Sequence, residues 1–130
     1  QSVRPWQHVL EPLFGYIKTV EFSFKKKIKP DVFNYGPNYQ KFLSVKSILN
    51  LVKLEYPSLR YKVVKTNFYE SSYLSLDSSK IKTKINLSQV WNIKKTVNKT
   101  IRWYLEYLNK KSAIKLCLED INEYKKDLLK

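Results

Sequence analysis

The chain has 130 residues, with 25 Lys and Arg against 11 Asp and Glu, a net charge of +14 and an apolar content of 43%. That length holds one domain with a modest core. The charge draws anions such as nucleic acid, acidic membranes or phosphorylated small molecules, but a general bias toward lysine that merely solvates the surface explains it better.

Past Val9 the apolar residues Leu13, Phe14, Ile17, Val20 and Phe24, with Glu21 among them, recur at helical spacing, and Pro12 suits a first turn. Gly15 weakens that helix unless something packs closely against it. The cluster Lys25, Lys26, Lys27 and Lys29 is short, ends at Pro30 and reads as a loop after the helix. Val32 to Tyr35 is predicted as a short strand stopped by Gly36-Pro37. Ser44 caps a second predicted helix with Val45, Ile48, Leu49 and Val52 on one face, ending before Pro57. Arg60 to Lys65 reads as a strand, and Tyr73, Leu74 and Leu76 as a brief extended run. Asp77 caps a short helix through Ile81 and Ile85. Asn92 caps the longest, with Ile93, Val97, Ile101, Tyr104, Leu105 and Leu108 predicted to face inward. A fifth helix carries Leu118, Ile121, Tyr124 and Leu128. Strands alternating with about five helices give an α/β class. The strands are few and short, so some of them are expected to complete a sheet begun elsewhere.

Catalytic constellations are missing. Gly15 and Gly36 are the only glycines, so there is no G-x-G-x-x-G or Walker loop. His8 is the only histidine and has no evident partner for base catalysis. One His and one Cys cannot supply a zinc site. Cys117 stands alone between Leu116 and Leu118, which excludes a disulfide framework and predicts a buried small hydrophobe. No apolar run approaches the ~20 residues that span a bilayer.

Binding chemistry is possible at three places. Arg4, stiffened by Pro5 and flanked by Trp6 and His8, suits a bidentate phosphate contact; on spacing alone a surface arginine beside a core tryptophan explains it as well or better. Asn34 or Asn38, in a turn after the first predicted strand, lies where α/β folds bind ligands, although Asn simply suits a turn. Glu70, between Phe68-Tyr69 and Ser71-Ser72, suits a ribose diol or is an exposed loop acid.

The segment from Arg4 to Leu13, RPWQHVLEPL, followed by Gly15-Tyr16, resembles the R-P-W-Q-H-V-L-E-P-L-x-G-Y stretch of CDP-glucose 4,6-dehydratases, extended short-chain dehydrogenases that act on nucleotide sugars. Phe33 to Pro37 is similar to the family's strand end W/F-N-F-G-P. Glu70 to Asp77 with Ser79-Lys80 is similar to H-E-A-x-x-L-x-L-D-x-S-K. Trp91 and Thr100 to Tyr104 resemble its W-x-L and T-x-x-W-Y helix, and Leu118, Ile121 and Tyr124 its T-x-x-Q-I-x-x-Y ending. The resemblance implies residues 1–130 to be the C-terminal substrate-binding part of an NAD(P)-binding Rossmann-like enzyme. The N-terminal Rossmann half, with the NAD site and the catalytic residues, would be absent, and Gln1 reads as a cut point.

In the implied reaction, bound NAD oxidises the sugar's 4-hydroxyl to a ketone, water is eliminated across the next two carbons and hydride returns. The product is CDP-4-dehydro-6-deoxyglucose, a step toward the deoxysugars of surface polysaccharides. The resemblance implies that Arg4 contacts the pyrophosphate with Asn34 or Asn38 nearby, that Glu70 reaches the ribose, and that Trp6 or His8 shapes the pocket. It further implies a cytoplasmic homodimer when intact, with no membrane or nucleic-acid partner and an inactive fragment. The chain departs from the family at Phe68-Tyr69, where many relatives carry Pro-His, and at Asn67, where some related enzymes hold a second arginine. Two other readings remain: a small basic nucleic-acid-binding module, and a non-catalytic interaction domain derived from the dehydratase.

Overall fold

A computed structural model describes residues 2–26, 31–37, 43–64 and 71–130. Among them are two-residue strands β1 (Val3–Arg4) and β2 (Leu43–Ser44) and five helices: α1 (Leu10–Lys26), α2 (Val45–Glu55), α3 (Ser79–Ile85), α4 (Ile93–Leu108) and α5 (Ala113–Leu128). The helices follow the predicted order because their start signals work locally. The Ser44 hydroxyl accepts the Ser47 N–H at 3.1 Å, and the Asn92 side chain accepts the Lys95 N–H at 3.0 Å. Ahead of α3 the Asp77 carboxylate accepts the Ser79 N–H at 2.8 Å. Ser78 occupies the cap position itself, its hydroxyl taken by the Gly36 N–H at 2.9 Å.

The strands differ from expectation. β1 pairs antiparallel with β2, Val3 opposite Ser44 and Arg4 opposite Leu43. On its other side Val3 bridges Tyr73 in parallel, donating to the Ser72 carbonyl and accepting from the Leu74 N–H. The brief run at Tyr73 therefore exists as one bridge. The strands expected at 32–35 and 60–64 do not form: these residues carry no ladder. Lys65 lies outside the described residues. Segment 31–37 is instead anchored by side chains, with Gln7 Nε2 donating to the Tyr35 carbonyl at 2.9 Å and Lys84 pairing with Asp31 at 2.9 Å. The described residues thus form a mixed, mostly helical structure with a two-stranded ribbon.

The core lies between α2, α4 and α5 and the loop before α4, and holds Ile48, Trp91, Val97, Leu116 and Tyr124; Ile81 is buried on α3, which packs on α1. Leu116 is fully buried and contributes about 2 kcal/mol. The buried stripe of α5 is Leu116, Asp120 and Tyr124, at steps of four. Leu118 points out, about 200° round the helix from Leu116, and Cys117 is exposed rather than buried. On α4, Val97 is buried as predicted, while Tyr104 and Leu108 face outward. On α1, Leu13, Ile17, Val20 and Phe24 are exposed, and the buried positions are Glu11 and Gly15. Gly15 is needed because the Tyr35 ring lies where a Cβ would stand. That ring also packs edge-on against Tyr16, and its hydroxyl meets the Thr19 hydroxyl at 2.6 Å.

Candidate functional site

Arg4 occupies the middle of a three-segment ribbon. Leu43 lies opposite it on one side, and on the other side Ser72 to Leu74 is bonded to Val3. The Arg4 Nη1 donates to the Val3 carbonyl at 2.7 Å, so the guanidinium lies along its own strand, half-buried. The Trp6 indole N–H donates to the Leu43 carbonyl at 3.0 Å, locking β2 beside β1. Its ring lines a cleft of about 270 Å³ with Ile48, Val52, Val97 and Ile101. Asn34 is exposed and donates to the Asp77 carbonyl at 3.3 Å. Asn38 and Glu70 lie outside the described residues, as do Asn67, Phe68 and Tyr69.

Behind the ribbon lies a polar core that the sequence does not announce. The buried Glu11 carboxylate reaches across the chain to the loop before α4. It accepts the Trp91 N–H at 2.8 Å, the Val90 N–H at 3.1 Å and the Tyr124 hydroxyl at 2.7 Å. Burial first, and the bond to Glu11 second, push the Tyr124 phenol far above its usual range, so it remains a donor. His8, Trp91, Tyr124 and Phe14 form a series of edge-to-face contacts with centroids 4.7, 5.2 and 5.8 Å apart, joining the N-terminal segment to α5 and α1. Trp91, only 1% exposed, donates its indole N–H to Asp127 at 2.9 Å. Within the motif spanning Arg4 to Leu13, Gln7 and Glu11 prove to be structural ties. Their partners lie 28 and about 80–113 positions away, which no local pattern discloses.

His8 accepts the Leu10 N–H on Nδ1 at 3.3 Å. Burial lowers its pKa; Asp120 opposes that shift and Lys99 adds to it. The unfolded chain therefore takes up the proton first. Stability is complete above about pH 6.5 and is lost as pH falls toward the folded value. Urea midpoints stepped down from neutral pH are expected to decline in this window, and His8→Gln is expected to flatten that decline. An equal decline in the variant would assign it to other groups.

Two further clefts lie beside these residues. One of about 320 Å³ is lined by Gln7, Gly36, Asp77, Ser79, Lys82 and Gln89, and adjoins the loop that carries Asn34. Another, of about 520 Å³, opens between the start of α1 and helices α4 and α5 and includes His8. Of the sequence-predicted residues, Arg4 and Trp6 share the ribbon, while His8 and Asn34 stand in different places. Among the described residues no group of three or more His, Cys, Asp or Glu is placed to hold a metal. No helix there is long and apolar enough to cross a membrane.

No family model matches the chain. Over 126 residues, 95% of its length, the chain is 28% identical to a CDP-glucose 4,6-dehydratase of Salmonella typhimurium, and the match falls on the C-terminal 35% of that protein. The chain thus spans about a third of the length of the curated relative it matches.

Proposed function

We propose that the chain is the substrate-binding portion of a nucleotide-sugar dehydratase acting on CDP-glucose. The similarity supports the enzyme class. The arrangement around Arg4 carries the site. Its strand lies between Leu43, the first described residue after Asn38, and Ser72 to Leu74, just past Ser71, the first described residue after Glu70. Arg4 would hold the pyrophosphate through charge-assisted hydrogen bonds. Of the two asparagines, Asn38 would approach the same group, since Asn34 stands away from Arg4 with its amide on the Asp77 carbonyl, and Glu70 would accept from the ribose hydroxyls. Trp6 would act by fixing β2, and His8 by packing behind the ribbon on Trp91. NAD and the acid/base groups that oxidise, dehydrate and reduce the sugar would belong to the part of such an enzyme outside the match. This portion would orient the substrate and be inactive alone. The reading extends to a cytoplasmic homodimer.

A titration of the chain with CDP-glucose, set beside one with a random oligonucleotide at two salt concentrations, tests this. Weak, CDP-selective binding is expected. Oligonucleotide binding that collapses with salt, without CDP-glucose binding, would replace the proposal with the nucleic-acid reading that the net charge of +14 favours. Lys95, Lys99, Arg102 and Lys111 pair with acids on α4 or α5, so that the net charge rests on the other lysines and arginines. In a full-length enzyme carrying this segment, Arg4→Ala is expected to weaken nucleotide-sugar binding by roughly 1.5–3 kcal/mol. Unchanged affinity removes Arg4 from the site.

A further inference from the structure

Ile93, Thr96, Val97 and Ile101 recur at helical spacing on α4 and form one wall of the cleft of about 270 Å³ beside Trp6. Ile48 and Val52, one turn apart on α2, form another. Among the described residues, no charged side chain lines this cleft. Two of its polar neighbours are already committed: the Trp6 indole N–H donates to the Leu43 carbonyl and Gln7 Nε2 to the Tyr35 carbonyl. Thr96 is different. It is 6% exposed, and its hydroxyl is buried with no hydrogen-bond partner among the described residues. The helical threonines Thr19 and Thr83 each donate to the carbonyl four residues back, at 2.9 and 3.0 Å, and Thr96 does not. A buried hydroxyl of this kind costs free energy until a partner reaches it.

We propose that this cleft binds a small uncharged molecule, one apolar ring bearing a hydroxyl or carbonyl, with the ring among Trp6, Ile48, Val52 and Ile101 and the oxygen on the Thr96 hydroxyl. Size and chemistry choose this class. A cavity of about 150 Å³ holds a benzene ring, and drug-sized ligands take about 300–1,000 Å³. At about 270 Å³ the cleft suits one ring with a short substituent. Uncharged walls give a pyrophosphate nothing to pair with, so this site is separate from the one proposed at Arg4 and does not depend on the dehydratase reading.

The probes are benzyl alcohol and toluene, which share the ring and differ by the hydroxyl. Titrations of the 130-residue chain, followed by ¹H–¹⁵N correlation spectra, are expected to give saturable shifts at Ile48, Thr96 and Val97 with both. Thr96→Val is expected to weaken benzyl alcohol roughly threefold to tenfold, the usual worth of one neutral hydrogen bond, and to leave toluene as tight or tighter. The same variant is expected to unfold at a higher urea concentration, because a methyl group replaces an unpaired buried hydroxyl. A lower midpoint would show that the hydroxyl is already bonded and overturn the proposal. Shifts that do not saturate with either probe also overturn it, as does a Thr96→Val variant that treats the two probes alike. CDP-glucose is expected to leave bound benzyl alcohol in place. Its displacement would make the cleft part of the nucleotide site and remove it as a site of its own.

Discussion

Glu11→Ala is expected to lower the unfolding free energy by about 4 kcal/mol, since it strands two buried donors and one part-buried donor at a cost of about 1–3 kcal/mol each, not fully additive. The donors are the N–H groups of Val90 and Trp91 and the hydroxyl of Tyr124, and the carboxylate is the group that joins α1 to both the loop before α4 and to α5. Its effect should exceed that of a surface acid, because the carboxylate is only 7% exposed and its bonds are largely shielded from water. Glu11→Gln, which keeps one acceptor oxygen and adds donors that face donors, is expected to recover only part of the loss. Urea unfolding followed by far-UV circular dichroism measures both. A midpoint for Glu11→Ala equal to that of the parent would show that the carboxylate does not tie these elements together.

Lys99→Met is expected to cost about 3–5 kcal/mol, the usual range for removing one partner of a buried ion pair. Lys99 is 3% exposed. Its ammonium lies 3.2 Å from Asp120, bonds Glu123, and sits 5.6 Å from the centre of the Trp91 ring. Without it the buried Asp120 keeps only Arg102, at 3.1 Å, as its cation. The double variant Lys99→Met with Asp120→Leu replaces the pair by apolar groups of similar volume and is expected to regain most of the loss. Arg102, itself partly exposed, can then turn to Glu106 and to water. A double-mutant cycle on unfolding free energies reads the coupling. A double variant no more stable than Lys99→Met would mean that the two charges do not depend on one another.

Both residues show why part of this structure escapes a reading of the sequence. Lys99 and Asp120 sit on helices whose apolar periodicity predicts helix correctly, yet their charge places them outside any core drawn from hydrophobic residues alone. They are buried because each supplies the other's counter-charge across the α4–α5 contact. The same mechanism displaced the expected inner faces. Leu118 and Tyr104 fit an apolar stripe by type, but the register of α5 is set by Leu116, Asp120 and Tyr124, with Tyr124 held by Glu11. The segments at 32–35 and 60–64 have strand composition, and β-propensity by itself does not bring a pairing partner alongside.

The candidate site divides in a similar way. Arg4, Trp6 and His8 were visible as residue types suited to an anion and its surroundings. Only the folded chain shows that Trp6 spends its indole N–H on Leu43 and that His8 spends its ring on Trp91.

What the sequence determined by itself is whatever acts within a few residues: the five described helices and their order, the caps at Ser44 and Asn92, and a motif that resembles one enzyme family. The tertiary structure alone decided which helix faces are inside, that Arg4 lies between the segments after Asn38 and before Leu74, and that an acid and a lysine belong to the core. The physical reason is distance along the chain. Capping and periodicity are satisfied by neighbours, whereas a buried carboxylate is stabilised by donors some 80 to 113 residues away, and their arrival is known only once the chain has folded.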